Sequence, residues 1–378
     1  MLKIGIIGFG TRISNIISLA TENGRCKLVA VADKDCETVF NKHSEQFPDV
    51  KYYDNAEAML ENEKLDGVFI GTRCNLHTEL ALLVAKYNLP MFLEKPVSIN
   101  EEQLEQLKTI IHMNDKTVVS FPLRMCKIVR KVKEIADSDE IGKISQVQAY
   151  NNVPYGRGYF HKWYRDESIT GGLFLQKSTH DLDYINYIIG DEAKVKRIAA
   201  TESKLVFKGD KRANLKCAEC EERNECPESD INVLKSDTKN IPGEYCCFAV
   251  DTGNHDCGSI FVEYENGLHT VYTQNFVARK AAQKRGARII GYNGTLEFDF
   301  YTGKIIVYDH FNDTTKIIDV DSSTDGGHFG GDKALVENFM DIMEGKAVSK
   351  SNLMEGILSA EMCIMAKKSA EEHIFVTY

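Results

Sequence analysis

Apolar and polar residues follow two rhythms along the chain, and the change between them falls near residue 122. Before it, short Ile/Val/Phe-rich runs at 2–7, 27–32, 66–71, 90–94 and 117–121 alternate with stretches of helical period. Continuous apolar runs of that length read as strands buried on both faces, and helices between them read as parallel crossovers. Ile13, Ile16, Ile17 and Ala20 mark one buried helix face, and a second helical stretch runs from Asp33 to about Gln46. Asn55 and Asn75 are placed to cap further helices, and Asn100 with Gln103 forms a capping box. The pattern predicts a doubly wound parallel sheet over 1–122.

After residue 122 the periodicity becomes that of an α+β region over 123–378, with the last helices free to pack back on the first domain. A basic helix is expected over 124–136, a strand over 144–152 and an aromatic, basic loop over 155–165. Gly171-Gly172 leads through His180 and Asp183 into a helix ending near Gly190. Asn266-Gly267, Asn293-Gly294 and Thr302-Gly303 stand between β-rich runs, and such dipeptides mark hairpins, so an antiparallel sheet of several strands follows. A glycine-rich loop from Gly326 to Asp332 introduces two helices, over 332–343 and 352–370.

Length and composition narrow the classes. At 378 residues the chain exceeds most single cores, and two domains are expected. Its 43% hydrophobic and 27% charged residues are those of an ordinary globular protein. The formal charge of −10 and the absence of a long Lys/Arg block argue against a nucleic-acid partner. With no apolar run of ~18–20 residues and a core strand at residue 2, no membrane span or signal peptide is expected and the location is cytoplasmic.

Candidate chemistry begins at Gly8-Phe9-Gly10, between the first strand and the first helix. A glycine turn there lets a pyrophosphate approach the backbone and meet the free N–H groups and dipole of the helix. The third glycine of that fingerprint is replaced by Ile13. Asp33 ends the next strand, about 20 residues on, where an acidic residue holds a ribose 2′-hydroxyl. Gly8, Phe9, Gly10, Thr11, Arg12, Ile13 and Asp33 therefore form a candidate dinucleotide site, giving the first domain a Rossmann fold. Asp33 favours NAD; Lys34 beside it leaves NADP open. Thr72, Arg73, Asn75, His77, Glu94 and Lys95 fall at later strand ends, where ligands of such sheets lie, and join the cofactor group.

The glycine turn, Glu94-Lys95-Pro96, Gly171-Gly172 and His180-x-x-Asp183 together resemble the glucose–fructose oxidoreductase / inositol dehydrogenase / MocA family over nearly the whole chain. The resemblance implies a nicotinamide-dinucleotide domain and a C-terminal α+β domain with an open antiparallel sheet. The outer face of that sheet commonly forms a homodimer or homotetramer contact. It implies sugars, sugar derivatives or cyclitols as substrates. Lys95 would bind the substrate hydroxyl and stabilise oxygen charge as a carbonyl forms. His180 would be the base, since hydride loss from an alcohol carbon requires loss of the hydroxyl proton. Asp183 would orient His180 or bind a hydroxyl. Where many relatives carry an aspartate four residues before the histidine, this chain has Gln176, which cannot take a proton, followed by Lys177. Arg124, Trp163, Arg165, Gln176, Lys177 and His328 are the candidate substrate contacts, with Asp332 in the same glycine loop as His328.

Eleven cysteines suit a reducing compartment. Cys217-x2-Cys220-x5-Cys226 has spacing that suits a structural zinc ion with one ligand from a later segment, and a resemblance to some subfamilies implies Cys246 as that ligand; free thiols, a disulfide or an iron–sulfur cluster are the alternatives. The main expectation is an NAD(P)-dependent oxidoreductase of a secondary alcohol. A glycosidase acting by transient oxidation, elimination and hydration, and a nucleotide sensor without turnover, are the other two classes.

Overall fold

The computed structural model describes residues 1–22, 24–236, 243–320 and 327–378. The chain divides into two units: Met1–Val129 with Leu182–Tyr184 and Ser322–Glu361, and Arg130–Asp181 with Ile185–Asp321 and Met362–Tyr378.

The first unit is built on a parallel sheet in the order β3-β2-β1-β4-β5-β6. Its strands are β1 (Leu2–Ile7), β2 (Cys26–Ala32), β3 (Lys51–Tyr53), β4 (Gly67–Ile70), β5 (Met91–Leu93) and β6 (Thr117–Val119). β1 and β4 are neighbours, so the strand order reverses there, and the carboxyl end of β1 lies at the topological switch point where such sheets bind ligands. Ladder bonds align the strand ends: Gly8 N–H donates to Ala32, Gly71 to Ile7, Glu94 to Ile70 and Ser120 to Leu93. The core packs Ile4, Ile6, Phe69 and Phe92 of the strands against Ile13, Ile16 and Ile17 of the helix Thr11–Glu22. The late helix Gly331–Met343 completes it with Leu335, Val336, Phe339 and Met340. Asn55 and Asn100 cap their helices as expected, accepting from the N–H groups of Ala58 and Gln103. Asn75 does not: Cys74–Leu76 form a 3-10 turn and the helix His77–Lys86 starts after it without a side-chain cap.

The second unit carries a sheet in the order β14-β13-β12-β11-β7-β10-β9-β8-β15, nine strands among the described residues. They are β7 (Ile144–Asn152), β8 (Val195–Ser203), β9 (Cys257–Tyr264), β10 (His269–Asn275), β11 (Lys284–Gly291), β12 (Gly294–Asp299), β13 (Lys304–Asp309), β14 (Thr315–Asp319) and β15 (Val376–Thr377). All neighbours pair antiparallel except β7 and β10. The three expected hairpins join β9 to β10, β11 to β12 and β12 to β13. Burial alternates along β9, as expected for a sheet with one packed face. The basic helix expected over 124–136 is instead the short turn Pro122–Met125 followed by Lys127–Asp137. The stretch before His180 winds as a π-turn, Phe174–Ser178, directly into the helix Thr179–Ile189.

Candidate functional site

In the first unit the glycine turn is shaped by steric need. Gly8 has φ of 83°, and a Cβ there would stand 2.5 Å from Thr72 Cγ2 and 2.8 Å from the Thr72 nitrogen. The ends of β1 and β4 are thus pressed together at the switch point, and only glycine fits. Ile13 stands where the fingerprint has its third glycine, and the structure shows the compensation. Gly71, one residue past β4, lies so close that a Cβ on it would be 1.8 Å from Ile13 Cγ1. Close helix–strand packing is kept, with the missing side chain moved from helix to strand end. Phe9 stacks on the ring of His43, and its N–H donates to Asp33 Oδ2 at 2.9 Å while Asp35 N–H donates to Oδ1 at 3.0 Å. Asp33 is thereby fixed at the end of β2. Lys34 beside it is exposed, as are Gly10 and Thr11 at the helix start.

A charge network occupies several of the other positions expected to touch cofactor or substrate. Arg12 donates from Nε to Glu94 at 3.1 Å and forks onto Asp332 at 2.6 and 2.7 Å, with Ser120 Oγ at 3.1 Å. His328 Nδ1 lies 3.0 Å from the same Asp332 carboxylate. Arg12, Glu94 and His328 are therefore tied to one another through Asp332 and to the end of β6. Burial alone would raise the Asp332 carboxyl, but the bonds from Arg12 and His328 outweigh it and hold the group at about 2. Gly326, the start of this loop, lies outside the described residues.

His77 is buried; its Nδ1 donates to the Pro96 carbonyl at 2.7 Å and its Nε2 is 3.3 Å from the Thr72 carbonyl. Burial lowers its pKa, so a neutral ring tied through Nδ1 is the form that fits. That makes His77 a brace between the loops after β4 and β5. Asn75 Oδ1 is buried with no hydrogen-bond partner among the described residues. Thr72 and Arg73 carry the chain from Gly71 toward Asn75, and the Thr72 hydroxyl bonds back to the Arg73 carbonyl. Lys95 is half-buried at the end of β5, before a cis peptide to Pro96.

Arg124 has carboxylate partners within the protein. Its guanidinium is buried and forks onto Asp183, Nε to Oδ2 at 3.0 Å and Nη2 to Oδ1 at 2.5 Å. Nη1 meets Glu355 at 2.5 Å. Arg124 and Asp183 thus occupy each other, where the sequence offered one to the substrate and the other to His180. Burial pushes the Asp183 carboxyl up to about 7 against the pull of Arg124.

In the second unit His180 is buried as the second residue of its helix. Its neighbour Asp181, which the sequence did not single out, reaches three adjacent strands: Asn151 of β7 at 2.9 Å, Tyr272 of β10 at 3.0 Å and Arg285 of β11 at 2.8 and 3.0 Å. This fork fixes the start of the helix on the sheet, and with it His180. Gln176 is buried, its amide donating to the Thr170 carbonyl. Lys177 is buried and donates to the Tyr155 hydroxyl at 2.7 Å, so the departure at Gln176-Lys177 brings in a tyrosine. Trp163 stacks on Tyr164 at 3.8 Å between centroids. Arg165, expected at the substrate, is buried against Asp251 at 2.5 Å and Thr252 at 3.0 Å.

The cysteines converge without forming a metal group. Cys217, Cys220, Cys226, Cys246 and Cys247 line one small cavity with His161 and Glu228. All are free thiols, and among the described residues no three His, Cys, Asp or Glu side chains are grouped to hold an ion. The zinc expectation therefore has no support here. Burial raises the thiols of Cys217, Cys246 and Cys247, which keeps them protonated.

Comparison with known proteins places this geometry. Residues 2–121 match the oxidoreductase family with an NAD-binding Rossmann fold, and residues 129–297 match the GFO/IDH/MocA C-terminal domain. The chain belongs to the GFO/IDH/MocA family of oxidoreductases. Among curated relatives, myo-inositol 2-dehydrogenase of Thermotoga maritima is 27% identical over 54% of this chain and 59% of its own. The putative oxidoreductase YteT of Bacillus subtilis is 25% identical over 75% of this chain and 74% of its own. Among solved structures, levoglucosan dehydrogenase in complex with NADH and levoglucosan superposes with a TM-score of 0.77 at 17% identity, covering 100% of this chain and 99% of that one. At that identity the likeness concerns the fold. No helix among the described residues is long and apolar enough to cross a membrane.

Proposed function

We propose that the protein oxidises or reduces a secondary alcohol of a sugar, sugar derivative or cyclitol with a nicotinamide dinucleotide. The observation that carries this reading is the Gly8–Gly10 turn at the switch point, closed on one side by Thr72 and on the other by an Asp33 anchored to the turn itself. Relatives named for inositol and levoglucosan support the substrate class.

The residues present fit the cofactor. The Gly8–Ile13 backbone would receive the pyrophosphate, and Asp33 has acceptor capacity left for a ribose hydroxyl. The unsatisfied Asn75 Oδ1 offers one more polar contact. Exposed Lys34 keeps a 2′-phosphate within the reading, with NAD favoured through Asp33. Bound, the dinucleotide supplies an acceptor or donor for hydride at the alcohol carbon. Lys95 would stabilise the substrate oxygen, and His180 would engage the hydroxyl whose proton leaves as the carbonyl forms.

The test is a panel of free sugars, sugar acids and cyclitols incubated with NAD and with NADP, read by the absorbance of reduced nicotinamide. Turnover with at least one member, and a loss of kcat in Lys95→Met and His180→Ala, is expected. Binding of NAD without turnover on any member, or cleavage of aryl glycosides without net cofactor reduction, would overturn it.

A further inference from the structure

Lys177 is a cation in an unusual place. It is 6% exposed, and among the described residues its hydrogen bond goes to a phenol, Tyr155, at 2.7 Å. Its Nζ also lies 4.4 Å from the Tyr155 ring centroid and 5.0 Å from that of Tyr159. A buried ammonium normally needs a carboxylate. Asp181, one helical turn on, is the carboxylate within its field, but it is already forked by Arg285 and bonded by Tyr272 and Asn151. The described groups facing the pair are thus Arg285 on β11, Asp181 on the helix, Tyr159 on the short helix Gly158–His161 and Tyr301 in the turn between β12 and β13. With Lys177 itself, the described groups here include two cations and one carboxylate.

Tyr155 follows the end of β7, with 38% of its surface exposed, while the lysine behind it is closed off. Burial pushes the phenol up, but Lys177 and Arg285 pull harder and hold it below the ordinary tyrosine range. Burial likewise brings Lys177 down. Lys177 lies three residues before His180, at the point where the π-turn runs into the helix.

We propose that Tyr155 and Lys177 form the acid–base pair of the reaction, Tyr155 exchanging a proton with the substrate hydroxyl and Lys177 stabilising the phenolate. The inference rests on the alcohol-oxidoreductase reading and adds where the proton goes. In oxidation the substrate O–H bond breaks and its proton joins the Tyr155 phenolate oxygen, giving a phenol. The carbinol C–H bond breaks at the same carbon, its electron pair leaving as hydride to oxidised nicotinamide, and C=O forms. The pair passes from a neutral phenolate–ammonium to a cation and releases the proton to water before the next turnover. Reduction runs the same steps in reverse. The function that Gln176 cannot perform is met by its neighbour.

Two measurements test this, one of them independent of turnover. Ultraviolet difference titration of the intact protein should show one tyrosine ionising below the ordinary range near ~10. That phase should vanish in Tyr155→Phe and move upward in Lys177→Met. With a substrate from the panel above, Tyr155→Phe should lower kcat roughly 10²–10⁴-fold and remove the acidic limb of its pH profile. Lys177→Met should shift that limb to higher pH, which a purely structural lysine would not do. A limb that survives Tyr155→Phe overturns the inference and leaves the oxidoreductase reading standing. If no member of the panel turns over, that reading fails, and the titration alone decides the pair: no early phenolate phase, or one that persists in Tyr155→Phe, overturns it.

Discussion

Asp332 shows how one carboxylate can hold residues that the sequence assigns to two separate roles, cofactor and substrate contact. It takes the Arg12 fork and the His328 ring, and Arg12 in turn holds Glu94. Its carboxyl stands at about 2 against an ordinary 3.8. A depressed pKa of this kind stabilises the fold above the unfolded value and loses that effect as pH falls through the folded one. The difference corresponds to about 2 kcal/mol. Asp332→Asn should therefore lower stability to urea by about 2 kcal/mol at neutral pH, with the gap to wild type narrowing once pH drops below about 4. A gap that stays constant down to acid pH would show that the carboxylate charge is not what holds Arg12. These side chains were legible in the sequence as polar residues near strand ends and glycine loops. Their mutual pairing was not, because residues 12, 94, 328 and 332 meet only after the sheet and the late helix have formed.

At the scale of elements, most of the fold was legible because period and punctuation agree. Asn55 and Asn100 cap because each precedes an amphipathic run, and the hairpin dipeptides fall between β-rich runs. Asn75 misled because a 3-10 turn intervenes, so the helix starts two residues beyond it. The cysteine spacing misled differently: it brings sulfurs to one cavity, but spacing alone does not fix the side-chain directions that ligation needs. The helix–strand contact at Ile13 and Gly71 tests how the incomplete glycine fingerprint is tolerated. Gly71→Ala would drive a methyl into the stem of Ile13, not its flexible end, and should cost about 1–3 kcal/mol. Combining it with Ile13→Ala should be less destabilising than the two single changes added, by about 1 kcal/mol or more. Strict additivity in chemical unfolding would mean that the two sites do not compensate each other.

For the molecule as a whole, the family matches cover 2–121 and 129–297, yet the first unit is not finished by either. Phe339 packs edge-on to Phe69 at 5.0 Å and near Phe92 at 5.9 Å, and Leu335, Val336 and Met340 fill the same core. A fragment of residues 1–129 would leave that face open to water. It should bind a hydrophobic dye and unfold without a cooperative transition, whereas the full chain should do neither. A fragment that melts cooperatively would show that the late helix is dispensable to this core.

That late helix also sets an order of events during synthesis. A ribosome delivers β1 more than 300 residues before the Gly331–Met343 segment. The parallel sheet therefore waits, with Phe69 and Phe92 uncovered, while β7 to β14 of the second sheet are being made. A late-made part of the chain decides when an early-made part becomes a finished unit. Chaperone dependence in the cell should accordingly track this helix more closely than the glycine turn with which the chain begins.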